Sequence, residues 1–259
     1  MMIQNRHNQI LEWLQTEKSI SAVELSERLH VSNMTIWRDL KQLEQQGLLK
    51  RVRGGAAAVP SNTKGSTLHA AFQLNPAVYA PLKSKLGRYA AHFLIEENDN
   101  IALEGGTTVS SMVPYIDQSN ITILTNGLNT MLLAAPLIDS MRVLCCGGVL
   151  SKYADSFIGP QAEAFFSEFR VNKVFLSASG ITLDDEFTDP DPLYASLKHA
   201  MRHSAEKVIV LVDSSKFGKR TLNQVLRFSE VDILVTDSGA PQEMLDAIAA
   251  QGIEVHIAP

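Results

Sequence analysis

Apolar positions in the first part of the chain recur at helical spacing. Ile3, Ile10, Leu11 and Leu14 predict an amphipathic helix over residues 3 to about 16. Lys18-Ser19-Ile20 breaks that pattern. Ser21-Ala22-Val23-Glu24 then has the form of a capping box, with the Ser21 hydroxyl capping a first turn and Glu24 reaching back to the Ser21 amide. It opens a second helix through Leu29, with Val23, Leu25 and Leu29 available to a core. His30-Val31 reads as a tight turn, Ser32 as the N-cap of a third helix over 33 to about 46, and Gly47 as its stop. In that helix Ile36, Leu40 and Leu43 fall at i, i+4 and i+7 and predict a buried stripe. Met34, Arg38, Lys41 and Gln45 point the other way, with Thr35 and Trp37 on the flanks.

Residues 56–67 (AAAVPSNTKGST) are small and polar without periodicity and predict a linker, with a domain boundary near residue 60. Pro76 and Pro81 extend the irregular segment to about Leu82. Beyond it, helix and strand patterns alternate. A helix is expected over 83–95, and strands over 101–103, 121–124, 141–145, 173–177, 208–212, 233–235 and 253–257. Further helices are expected near 109–116, 128–135, 160–168, 193–204 and 241–251. Such alternation predicts an α/β domain with a mainly parallel sheet. The domain expectation is therefore 1–58, a linker and irregular segment over 59–82, and 83–259.

Composition adds limits. With 259 residues, 45% of them hydrophobic, the chain can bury a sizeable core and is not wholly disordered. No run of about 18 uncharged apolar residues occurs, so a membrane span is not expected. The N-terminal residues lack the unbroken apolar run of a signal peptide, and two adjacent cysteines make no disulfide framework. A cytoplasmic protein is the expectation. The net charge of −5 hides an asymmetry. Residues 1–60 carry eight Lys/Arg against six Asp/Glu, while the remainder carries 15 against 22. A slightly basic head on an acidic body suits a nucleic-acid reader joined to another function.

The position of the positive charges sharpens that reading. Three short helices with a tight turn before the third, whose outer face is cationic, describe a helix-turn-helix. After Gly47, the segment Leu48-Leu49-Lys50-Arg51-Val52-Arg53-Gly54-Gly55-Ala56 reads as a two-stranded wing turning at Gly54-Gly55. Its cations can neutralise phosphates beside the groove. Val31-Ser-Asn-Met-Thr-Ile-Trp-Arg-Asp-Leu40, Leu43-Glu44, Gly47 and Arg51-Val-Arg-Gly-Gly-Ala56 resemble the winged helix-turn-helix of the DeoR family of bacterial transcriptional regulators. The resemblance implies double-stranded operator DNA as partner. The DNA-contacting set expected is Ser32, Asn33, Met34, Thr35, Trp37, Arg38, Lys41, Lys50, Arg51 and Arg53. One departure is Trp37, where the family usually carries the first of two arginines. Trp37 either packs on a sugar or a thymine methyl, or covers the helix edge.

In the large domain, polar turns follow successive strands: Leu103-Glu-Gly-Gly-Thr-Thr108, Thr125-Asn-Gly127, Gly147-Gly148, Ser177-Ala-Ser-Gly180 and Asp213-Ser-Ser-Lys216. Ligands of open α/β sheets bind at strand carboxyl ends, and amides and hydroxyls at a helix start suit an anion. GTT at 106–108, TNGLN at 125–129, CGG at 146–148, SFIGPQAE at 156–163, KVFLSASGI at 173–181 and VDSSKFGK at 212–219 extend the DeoR resemblance over nearly the whole chain. The family's second domain is similar in fold to ribose-5-phosphate isomerase and binds phosphorylated sugars as effectors. The resemblance thus implies a repressor of a carbohydrate or polyol operon, released from DNA by a phosphorylated sugar. It implies an effector cleft of Gly105, Gly106, Thr107, Thr108, Asn126, Gly148, Ser179, Gly180, Lys198 and Lys216, and a homodimer or homotetramer.

Two departures set this chain apart. Glu104 stands where the family commonly has Asp, and Tyr194 stands where a Glu is expected before the Lys198 helix, so the effector's sugar end is expected to be read differently. No cofactor, metal or membrane partner is expected. The alternative function is a sugar-phosphate isomerase-like enzyme with Glu104 as base, but the turn Ser177-Ala-Ser-Gly180 lacks the carboxylates such an enzyme carries. Cys145-Cys146 reads as a buried pair or an oxidant sensor. His199 and His203, at i and i+4, read as a solvated helix face or a metal chelate.

Overall fold

The computed structural model describes residues 3–45, 49–52, 54–57, 81–151 and 155–259. Gly47, Arg53 and most of the expected linker lie outside the described residues, as do the side chains of Ile3 and Gln45. The chain divides into two compact units, Met1–Gln73 and Leu74–Pro259.

The first unit contains helices α1 (Ile3–Glu17), α2 (Ala22–Leu29) and α3 (Asn33–Gln45) and strands β1 (Ser19–Ser21), β2 (Lys50–Val52) and β3 (Gly55–Ala57). Ile10, Leu14, Leu25, Leu29, Ile36, Leu40 and Leu43 are buried together, so the helical spacing found the core. Val23 is an exception: it is exposed. The expected break at Lys18 is a turn into β1, which pairs antiparallel with β3 and makes the wing a three-stranded sheet of order β1-β3-β2. Ala56 and Ala57 therefore belong to a strand, not to the linker. Only half of the capping box forms. Ser21 Oγ accepts from the Glu24 amide at 3.1 Å, but the Glu24 carboxylate takes a bond from Arg28 Nη2 at 2.5 Å. His30 closes α2 in the left-handed region (φ 52°).

A buried ion cluster ties α1 to α3. Asp39 accepts from Arg6 Nε at 2.5 Å and Nη2 at 3.0 Å, and its other contact is His7 Nε2 at 3.1 Å. Burial pushes the Asp39 carboxyl up, yet Arg6 and His7 outweigh it and hold it below the usual range. Nothing in the helical periodicity distinguishes these three residues from solvated ones.

The second unit is built on a seven-stranded parallel sheet, ordered β15-β14-β12-β9-β4-β5-β6. These are β4 (Asn100–Leu103), β5 (Ile121–Thr125), β6 (Met141–Cys145), β9 (Val171–Leu176), β12 (Ala205–Leu211), β14 (Ile233–Asp237) and β15 (Glu254–Ala258). They coincide with the seven runs expected from sequence. Both faces are covered. Ile209 and Leu211 of β12 join a core with helix α4 (Pro81–Leu94), whereas Val208 and Val210 join another with α7 (Pro160–Ser167), α8 (Pro192–His203) and α9 (Gln242–Ala249). Helix α4 begins two residues earlier than expected because Pro81 fits a first turn, where no amide donor is needed. The helix expected over 109–116 is α5 (Thr107–Ser110) followed by a 3-10 turn at Val113–Tyr115, with Pro114 inside it. Helix α6 (Leu128–Ala134) follows β5.

Short strands escaped the sequence reading: the hairpin β7 (Val149–Ser151) and β8 (Ser156–Ile158), and a small sheet of β10 (Gly180–Thr182), β11 (Glu186–Asp189) and β13 (Asn223–Leu226). Three or four residues are too few to establish a period of two.

Candidate functional site

The sheet order contains a reversal. From β4 the chain moves outward through β5 to β6, then returns to β9 on the other side of β4 and continues through β12, β14 and β15. The carboxyl ends of β4 and β9 flank this switch point, where open α/β sheets form their ligand crevice. Glu104 follows β4 and Ser177 follows β9, and the Ser177 hydroxyl donates to Glu104 Oε2 at 2.8 Å across the switch.

Around that bond lies a buried polar network. Tyr194, on α8, donates its phenol to Glu104 Oε1. Lys198, one turn further on, donates to the Ser177 carbonyl and to Asp189 Oδ2, the latter at 2.5 Å, with Glu104 Oε1 3.9 Å away. Asp189 Oδ1 accepts from the Ser179 amide at 3.0 Å. Burial alone would push the Lys198 ammonium down, but Asp189 and Glu104 outweigh it and the net direction is up. Burial, reinforced by the Glu104 charge, pushes the Tyr194 phenol well up, so it stays a donor. Two carboxylates and one ammonium thus share a site that is almost closed to solvent: Lys198 and Glu104 are each 1% exposed.

The neighbouring turn is fixed by Asn126. Its Oδ1 accepts from the Gly105 amide at 2.9 Å and its Nδ2 donates to the Phe157 carbonyl at 3.1 Å. A side chain at Gly105 would collide with Gly127 Cα and Ser156 Oγ, so this crossing of backbones demands glycine. The Thr125 hydroxyl donates to the Leu103 carbonyl at 2.7 Å, holding β5 to β4.

A third group lies where the Glu104 turn enters α5. Lys83, from the first turn of α4, donates from Nζ to Thr107 Oγ1 at 2.7 Å. Partial burial pushes the Lys83 ammonium down, and so does the charge of Lys216, while Asp213 opposes them. The Lys216 charge therefore acts on Lys83, which is itself bonded to the Thr107 hydroxyl. Lys83, next to a hydroxyl at a helix start and acted on by a second cation, is a group suited to an anion, with Asp213 offsetting part of the charge.

The structure joins the sequence-predicted residues unevenly. Gly105, Gly106, Thr107 and Thr108 lie on one continuous turn. Asn126 is bonded to it through the Gly105 amide, Ser179 is bonded to Asp189 instead, and Lys216 is linked to it only by its charge effect on Lys83. Lys198 is a buried support of Asp189 and Ser177, not an open cation. Gly180 packs against the backbone of Lys219, and Gly148 (φ +113°) against Ile158, so both are explained by local packing. Lys83 and Asp189 were missed, and Ser177, though inside an expected polar turn, was not singled out. A lone lysine ahead of the first sheet strand carries no local signal, and Asp189 reads as part of a proline-rich turn. Cys145 and Cys146 are half-buried, not fully enclosed. Their thiols interact, the Cys146 bond holding Cys145 at about 6 and raising Cys146. His199 and His203 are exposed, and no group of three or more metal-ligating side chains occurs among the described residues. No described helix is long and apolar enough to cross a membrane.

In the first unit, Ser32, Asn33, Met34, Trp37, Arg38 and Lys41 are exposed along one side of α3, with Thr35 half-buried beside them. Ser32 Oγ accepts from the Thr35 amide at 3.3 Å and lies 2.9 Å from Thr35 Oγ1, so both hydroxyls are engaged at the helix start. On the wing Lys50 is exposed. Arg51 is drawn back to α3, its Nε donating to Glu44 Oε2 at 2.6 Å and its amide to Oε1 at 3.0 Å.

Residues 6–62 match the DeoR-like helix-turn-helix domain, and residues 80–238 match the DeoR C-terminal sensor domain. The chain is 29% identical over 254 residues to the HTH-type transcriptional regulator IolR of Bacillus subtilis, covering 98% of each chain. It is 30% identical over 255 residues to the glycerol-3-phosphate regulon repressor of Escherichia coli, covering 97% of this chain and 98% of that one. These relatives are transcriptional regulators and not enzymes, which removes the isomerase alternative. Among solved structures, ribose 5-phosphate isomerase A from Neisseria gonorrhoeae overlaps 53% of each chain at 15% identity and a TM-score of 0.38, too slight a likeness to transfer anything from that enzyme.

Proposed function

Because the chain belongs to the DeoR family of DNA-binding transcriptional regulators, we propose that it represses a carbohydrate or polyol utilisation operon and is released from its operator by a phosphorylated sugar or polyol. The observation that carries the effector half is the bond from Lys83 to Thr107 at the start of α5, with the Lys216 charge acting on Lys83. A phosphoryl group there would relieve the repulsion between two ammonium groups while accepting from the Thr107 hydroxyl. The buried network of Glu104, Ser177 and Tyr194 would then hold in place the turn that carries the ligand. A relative that represses a glycerol-3-phosphate regulon supports the repressor sense.

On the DNA side, α3 lies in the major groove. Arg38 and Thr35 read base edges or adjacent phosphates, and Lys41 and Lys50 hold the backbone. Two copies on paired half-sites supply the phosphate contacts that one small unit lacks. Release requires the effector to bind the DNA-free state better than the DNA-bound state; tight binding to both would shift nothing.

Thermal unfolding of the chain against phosphorylated sugars and polyols, each beside its unphosphorylated parent, tests the effector reading. A ligand near 100 times its Kd stabilises by about 2.7 kcal/mol. Stabilisation by a phosphorylated compound and not its parent, lost in Lys216→Ala, supports the proposal. Equal stabilisation by the parent compound overturns it.

A further inference from the structure

The outward side of α3 carries two large apolar side chains. Met34 is 75% exposed and Trp37 is 37% exposed, the former in the first turn of the helix. At about 100° per residue, positions 34, 37, 38 and 41 fall within one arc of about 100°. Ile36, Asp39, Leu40 and Leu43 occupy the opposite side and are buried. With Met34 at 0°, Trp37 falls at about −60°, Lys41 at about −20° and Arg38 at about +40°, so Met34 and Trp37 share with Arg38 and Lys41 the surface a major groove would receive. Elsewhere in the unit, three arginines are drawn into pairs: Arg6 with Asp39, Arg28 with Glu17 and Glu24, and Arg51 with Glu44.

Met34 and Trp37, three residues apart, are neighbours on the helix surface and form an exposed apolar pair that a partner can cover. In the major groove, the apolar feature that distinguishes base pairs is the thymine 5-methyl group, whereas guanine and adenine are read through hydrogen bonds. Neither a thioether nor an indole face can supply the paired donors that read guanine. We infer that Met34 and Trp37 are specificity determinants that read thymine methyl groups, so that the half-site of this regulator carries two thymines near the pair contacted by Arg38. This rests on α3 docking in the major groove. Met34 is the closer to the helix N-terminus, the end that meets base edges in helix-turn-helix complexes.

The test uses the full chain and duplexes that it enriches from a random pool. Each enriched thymine is replaced in turn by deoxyuridine, which removes the methyl and keeps the pairing edges. Losing one buried methyl weakens binding about fourfold. The expected result is such a loss at separate positions for Met34 and Trp37. Met34→Ala is insensitive to uracil at one of them and Trp37→Ala at the other, while both variants keep the parent's salt dependence. Uracil tolerated at every position, or uracil sensitivity undiminished in both variants, overturns methyl reading. If binding still falls in Arg38→Ala under that outcome, the docking of α3 stands and only the methyl reading is lost. Failure to enrich any sequence overturns both.

Discussion

Lys83 Nζ donates to Thr107 Oγ1 at 2.7 Å, and so joins α4 to the turn beside the switch point of the sheet. Replacing Lys83 by Met removes one of two mutually repelling cations while keeping the alkyl stem. Stability should stay within about 1 kcal/mol, while affinity for the phosphorylated effector falls at least tenfold, since charge-assisted bonds contribute about 1.5–3 kcal/mol. Calorimetric titration beside a urea melt separates the two effects.

The same pair sets a pH dependence. The Lys83 ammonium is held below its ordinary value by burial and by Lys216. Between that lowered value and the ordinary lysine value, the unfolded chain binds the extra proton, so the Lys83 contribution to stability rises with pH across the window. Effector affinity moves the opposite way, falling as Lys83 loses its charge. Titrations across alkaline pH should show this fall in the parent and a flatter profile in Lys83→Met.

Asp39→Asn breaks the buried cluster with Arg6 and His7. Removing one partner of a buried pair costs about 3–5 kcal/mol. Both tryptophans of the chain, Trp13 and Trp37, lie in the first unit, so tryptophan fluorescence follows its unfolding selectively. The melt should shift down in Asp39→Asn. In the parent, the Asp39 contribution is present above the unfolded carboxylate value and disappears as pH falls through the lower folded one.

Tyr194→Phe leaves the buried Glu104 without its phenol donor. A buried acceptor deprived of a partner costs about 1–3 kcal/mol. A urea melt followed by far-ultraviolet circular dichroism should show a lower midpoint with an unchanged slope. An unchanged midpoint would mean that the phenol does not support Glu104.

Lys50 and Arg51 should differ in DNA binding although they are adjacent cations. Lys50→Ala is expected to lower the salt slope of binding by about one. Arg51 is already paired with Glu44, so Arg51→Ala should change the slope less. Equal changes in the two slopes would contradict this difference.

Much of the architecture was legible because it rests on periodicity. The seven parallel strands are short runs rich in Val, Ile and Leu, and α3 exposes a stripe of period 3.6. The strand-end turns announced themselves through glycine and threonine. What escaped was long-range pairing. Nothing local couples Asp39 to Arg6 at a separation of 33 residues, or Tyr194 to Glu104 at 90. Lys198 looked like an open cation for the same reason: its partners Asp189 and the Ser177 carbonyl come from other elements. Lys83 was invisible until α4 was packed on the sheet.

The central claim couples phosphate recognition to DNA release, and one binding measurement addresses it. Fluorescence anisotropy of a duplex enriched by the full chain is followed while phosphorylated sugars and polyols, and their parents, are added. The account predicts that a phosphorylated compound weakens DNA binding by about 5- to 150-fold, its parent does not, and Lys83→Met and Lys216→Ala need far more of it. DNA affinity unchanged across the phosphorylated panel, or lowered equally by the unphosphorylated parents, would contradict it.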